Sequence, residues 1–138
     1  MKKLSLLITA CLFLLLGGNA AHAVTVQQAF LKQQSDVQVK GSGTVVRIFS
    51  DDLEGSRHQK FILKLSSGQT ILIAHNIDLA PRINTIAKGD FAIAKGNFVQ
   101  FHGEYEWSKK GGVVHWTHHD PRGRHVGGWL KHQGKVYQ

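Results

Sequence analysis

The sequence predicts an all-β fold with small helical content, a five-stranded Greek-key barrel carrying a short helix between its third and fourth strands. Three observations predict it. Most apolar segments are short and alternate with polar residues. Two pairs of such segments flank glycine-bearing turns, at 66–69 and 108–112. Between the two pairs lies one stretch with helix-start chemistry, led by Asp78 and Pro81.

Residues 1–23 read as an export signal: Lys2 and Lys3, then an apolar run over 4–16, then Ala21-His22-Ala23 as a small-residue cleavage pattern. That run is shorter than the roughly 20 residues of a spanning helix, so no stable membrane insertion of the mature chain is expected. The expected destination is periplasmic or secreted. The single cysteine, Cys11, falls inside the signal. A mature chain without thiols excludes disulfides, thiolate zinc sites and cysteine nucleophiles.

Residues 24–36 form an N-terminal helical arm, in which Thr25 caps a helix with Val26, Ala29 and Phe30 at helical spacing. The barrel domain is expected over 37–138. The β-branched run 37–49 is its first strand, and Gly41 and Gly43 mark a bulge or sharp bend. Segments 61–65 and 70–74 form the first hairpin. A short helix or helical turn follows, with Leu79, Ile83 and Ile86 on one face. The heptad 86–92 then recurs almost letter for letter as 93–99. Seven is odd, so absorbing the repeat inside a paired strand would invert every following side chain, and it is expected to loop out. Segments 98–107 and 113–118 form the second hairpin. Asp120-Pro121-Arg122-Gly123 fits a type I turn, and 129–137 forms a small hairpin covering a barrel edge. This element order is that of the oligonucleotide/oligosaccharide-binding (OB) barrel.

The formal charge is +8, of which Lys2 and Lys3 contribute two. A basic mature chain favours an anionic ligand or polyanion as partner. The densest chemistry lies at 115–125, where His115, His118, His119 and His125 accompany Asp120, Arg122 and Arg124. These groups combine proton donors and acceptors, metal ligands and anion hooks.

Alternation along 98–107 puts Val99, Phe101, Gly103, Tyr105 and Trp107 on the core side and His102, Glu104 and Glu106 on the other. A four-residue loop sets Glu104 opposite His115 and His102 opposite Thr117; a five-residue loop sets the glutamates over Trp116 instead. A glutamate beside a histidine either orients a general base or joins it in holding a divalent ion. On an extended strand His115 and His119 share a face, with His118 turned away as a core or rim histidine.

The candidate catalytic residues are therefore His115, His119, Glu104 and Asp120. Candidate substrate-binding residues are Arg57, His58, Arg82, Arg122 and Trp129, and candidate ligands for a divalent metal ion are His75, His115 and His119.

Gly43-Thr44-Val45-Val46-Arg47, Arg57-His58-Gln59, the segment from His75 to Arg82, Gly103-Glu104-Tyr105-Glu106-Trp107, and the segment from His115 to Arg122 together resemble a family of short exported bacterial proteins catalogued as a domain of unknown function. The resemblance spans nearly the whole mature chain and implies no activity, substrate or cofactor. The duplicated heptad departs from the family pattern, which has a single lysine-glycine segment there. His118-His119-Asp120-Pro121-Arg122 with Gly127-Gly128 also resembles the opening of ββα-metal nuclease motifs. That motif needs a later asparagine and a ligand-bearing helix, whereas Asn97 is the last asparagine of this chain.

Two functions are thus expected from the residues. One is metal-assisted or histidine-based hydrolysis of a phosphate-bearing or anionic substrate. The other is a module without chemistry that binds nucleic acid, glycan or an envelope partner.

Overall fold

The computed structural model describes residues 23–86 and 98–138. The expected export signal, apart from Ala23, and most of the duplicated heptad lie outside the described residues. The described chain runs α1 (Val26–Leu31), β1 (Val37–Ile48), β2 (His58–Leu65), β3 (Thr70–Asn76), β4 (Phe98–Glu106), β5 (Val113–His115), β6 (Trp129–His132) and β7 (Lys135–Tyr137). The first five strands follow the order β1-β2-β3-β5-β4, and pairing of β4 with β1 closes the barrel. Among the described residues, β3 and β5 are the one pair that runs parallel. This is the OB-like barrel that the element order predicts.

Closure depends on β1, which is long enough to serve two neighbours. Its first part pairs with β4 from Val37↔Tyr105 to Thr44↔Phe98, and its second pairs with β2 from Gly43↔Leu65 to Ile48↔Phe61. The strand passes from one partner to the other at Gly43, where a Cβ would crowd the Lys64 carbonyl oxygen at 2.7 Å. A register shift between Val45 and Arg47 completes the bend.

β2 and β3 alternate as the sequence dictates. Phe61, Leu63, Ile71 and Ile73 are buried in the barrel beside Val39, Val99, Phe101, Tyr105 and Val114, while Lys60, Ile62, Leu72 and Ala74 face outward and are partly exposed. The arm packs against this core through Val26 and Ala29. Thr25 caps α1 in a capping box with Gln28, and the Trp107 indole N–H donates to the Phe30 carbonyl at 3.2 Å.

The connection after β3 is a turn, closed by Ala80 N–H to the Asn76 carbonyl at 3.1 Å, and residues 77–86 contain no helix. Ile83 is nevertheless buried. The buried Gln59 amide holds it there, donating to the Ile83 carbonyl and accepting from its N–H, both at 2.9 Å.

β5 and β6 lie along the same edge of β4. β5 pairs with it from Glu104↔His115 to Glu106↔Val113, and β6 from Val99↔His132 to His102↔Trp129. The chain therefore leaves β4 after His115 and returns at Trp129, with Gly103 facing the gap. Residues 116–128 form an excursion with its two feet pinched together. β7 then pairs with β6 as the expected edge hairpin.

Candidate functional site

β5 ends because Trp116 adopts φ +53°, a conformation that costs a bulky side chain energy and reverses the chain direction. Alternation stops there, so His115 and His119 do not share a strand face, and His102 stands opposite Trp129 where Thr117 is expected. The four-residue loop, by contrast, gives the register in which Glu104 faces His115.

Two glycines allow the feet of the excursion to approach. A Cβ on Gly103 would collide with the His115 carbonyl oxygen, and one on Gly128 would collide with the carbonyl oxygens of Trp116 and His102. Gly128 N–H donates to the His118 carbonyl at 2.9 Å and closes the excursion. Within it the Asp120 carboxylate accepts backbone N–H bonds from Arg122 at 3.0 Å and from Arg124 and His125 at 2.9 Å each. Those N–H groups hold the Asp120 carboxyl below the usual carboxylate range. The expected turn forms beside it, with Gly123 N–H bonded to the Asp120 carbonyl at 3.0 Å. Asp120, a candidate catalytic acid, thus has its carboxylate oxygens engaged in shaping the excursion.

The shaped excursion delivers His125 to the barrel wall. Its Nε2 contacts Glu104 Oε2, its Nδ1–H donates to the Val126 carbonyl at 2.8 Å, and its ring stacks on Trp116 with centroids 3.8 Å apart and planes at 12°. Because Nδ1 faces an acceptor, it carries a hydrogen. Glu104 is largely buried, and His125 is the group that satisfies it.

Glu106 and His115 lie beside this pair, with His115 Nε2 3.4 Å from Glu106 Oε1. One ligand atom from each of Glu104, Glu106 and His115 falls within 4.8 Å of the other two. Next to the cluster, a pocket of about 200 Å³ is lined by Ser56, His58, Asn76, His115, Trp116 and His118, among others. His58 Nδ1–H donates to the Ser56 carbonyl at 2.8 Å, and His118 Nδ1–H to the His119 carbonyl at 2.7 Å. With Nδ1 as the donor, Nε2 is the nitrogen of each ring that carries the lone pair of the neutral tautomer. His118 is the rim histidine the sequence predicts, buried and bonded to a carbonyl.

The remaining candidates occupy other positions. His75 is fully buried, its Nδ1 2.8 Å from Thr117 Oγ1 and its Nε2 3.0 Å from the Pro81 carbonyl oxygen. With both nitrogens engaged it has no lone pair to offer a metal, which corrects its place among the ligands. Burial pushes its pKa down to about 4, and His118 and His58 push in the same direction. His119 is exposed on the excursion, as is Arg122.

Arg82 is paired with Asp51 through two contacts, at 2.8 and 3.1 Å. Arg57 bonds Asp78 at 2.7 Å and, with its own backbone N–H, holds the Asp78 carboxyl low. Trp129 is half-buried with its ring edge to His102, centroids 6.2 Å apart. Sequence reasoning does not single out Trp116 or the contact of His125 with Glu104. Gly127-Gly128 was the available signal that the chain closes tightly there.

No curated protein and no solved structure matches the chain. A family model described as Protein of unknown function (DUF3465) matches residues 8–138, and the chain belongs to that family.

Proposed function

We propose that the barrel wall around Glu104, Glu106 and His115 is a hydrolytic site that acts on a phosphate-bearing or otherwise anionic substrate with the help of a divalent cation. The supporting observation is the convergence of two carboxylates and one imidazole within 4.8 Å, beside a pocket lined by three histidines. Carboxylate and imidazole donors suit manganese or zinc. Such a cation would polarise a substrate oxygen and acidify a water.

The chain's own residues account for the rest. His125 holds Glu104 in place, and Asp120 holds the backbone of His125. The Nε2 lone pair of His118 or His58 accepts a proton from the attacking water as the new oxygen–phosphorus bond forms. The resulting imidazolium returns that proton to the leaving oxygen as the ester bond breaks. The basic excursion, with Arg122 and Arg124 exposed, favours approach of an anion.

The test is hydrolysis of bis(p-nitrophenyl) phosphate by residues 24–138, with manganese or zinc and with excess chelator. Metal-dependent release of nitrophenolate is expected, reduced about 100-fold or more in Glu106→Gln and His115→Ala and much less in His119→Ala. Absence of turnover with either metal, or equal turnover in all three variants, contradicts the proposal.

A further inference from the structure

The outward residues of β2 and β3 continue past the site. His58 pairs with Asn76 at the site's pocket, then Lys60 with Ala74, then Ile62 with Leu72. The row containing Ile62 lies four residues, about 13 Å, from the row containing His58. At that far end is a second concavity, of about 490 Å³. Its floor includes Phe49, Ile62, Leu72 and Val113, its cations are Arg47 and Lys110, and among the described residues no acidic side chain lines it. The Arg47 guanidinium sits 4.7 Å over the Phe49 ring centroid. Val113 joins the two regions, since it pairs with Leu72 and precedes His115 by two residues on β5.

A strip with an apolar and aromatic floor, cationic edges and no carboxylate among its described lining residues fits a polymer that combines flat apolar faces with regular negative charge. We infer that this strip binds single-stranded nucleic acid, with a base stacked against the Arg47–Phe49 pair and phosphates near Arg47 and Lys110. An acidic polysaccharide also matches the cations, but its puckered rings stack on an aromatic side chain less extensively than a planar base does. The inference extends the proposed hydrolysis by naming a substrate class, and its binding step stands independently of that chemistry.

The test is fluorescence anisotropy of a labelled deoxythymidylate oligomer about ten nucleotides long, titrated with residues 24–138 in excess chelator, so that metal-dependent cleavage is off. Binding is expected to weaken about tenfold in Phe49→Ala and similarly in the exposed charge reversal Arg47→Glu. It should also fall steeply with added salt. Thermal melts check that Phe49→Ala remains folded, and Arg47→Glu and Lys110→Glu provide the answer if it does not. Unchanged affinity in Arg47→Glu and Lys110→Glu would overturn the inference. So would a heparin fragment that binds as tightly as the oligomer and loses as much on Phe49→Ala. Binding without phosphodiester hydrolysis would uphold this inference and remove the hydrolytic reading.

Discussion

The β2–β3 hairpin and the excursion 116–128 are built on opposite principles. In the hairpin, side-chain direction follows from position along the strand: Phe61, Leu63, Ile71 and Ile73 are buried because they alternate. In the excursion no period operates. Thr117 and His118 are buried in succession, and His119 next to them is exposed. What fixes direction there is a reversed backbone at Trp116, a carboxylate at Asp120 that gathers three N–H groups, and two glycines at the feet. The face of the molecule that only needs packing is written locally. The part that shapes the proposed site is written in contacts between residues far apart in sequence.

The sharpest way to break this difference is to push the feet of the excursion apart. Gly128→Val would drive a branched side chain into two backbone carbonyls that cannot move without unpairing β4, and it should cost about 4 kcal/mol or more. Urea unfolding would measure that loss. A nearly neutral result would mean that the feet are not pinched.

The second largest effect should come from His75, which lies where hairpin and excursion meet, bonded to Thr117. Its folded pKa of about 4 lies below the usual 6.5. The neutral ring therefore contributes stability that is fully present above pH 6.5 and is lost as pH falls through 4. The shift corresponds to about 3 kcal/mol. The low carboxyls of Asp78 and Asp120 act below this window, at and under the ordinary aspartate range. Unfolding free energy measured from pH 7 to pH 4 should fall in the native protein and stay flatter in His75→Gln. Parallel curves would show that the buried imidazole is not the titrating group.

A smaller and local effect is expected for Asp120→Ala. Releasing three N–H groups should cost about 1 to 2 kcal/mol. Hydrogen exchange should then speed up at the amides of Arg122, Arg124 and His125 and stay unchanged at Phe61 and Ile73. Equal acceleration in both regions would make the excursion part of the barrel's cooperative unit.

The same contrast explains what was legible in the sequence. The barrel order, the Thr25 cap and the Asp120 turn follow from local chemistry, and counting residues along the hairpin narrows Glu104 to two registers, of which the one against His115 forms. The helical turn after β3 shortened to a single turn because the Gln59 amide, a long-range partner, holds Ile83 in place of helix packing. His75 looked like a ligand because its alternation brings it to the end of the sheet. Its burial continues the alternation of Ile71 and Ile73, but its bond to Thr117 follows the reversal at Trp116, and a positive φ at tryptophan has no sequence signature. For the same reason His125 could not be matched with Glu104 from spacing alone.

The most direct measurement of the account as a whole is anomalous diffraction from crystals of residues 24–138 grown with manganese or zinc. The account predicts a peak bounded by Glu104, Glu106 and His115, with His125 still contacting Glu104. A peak at His119 or His75 with none at the glutamates, or no ordered ion at all, would contradict it.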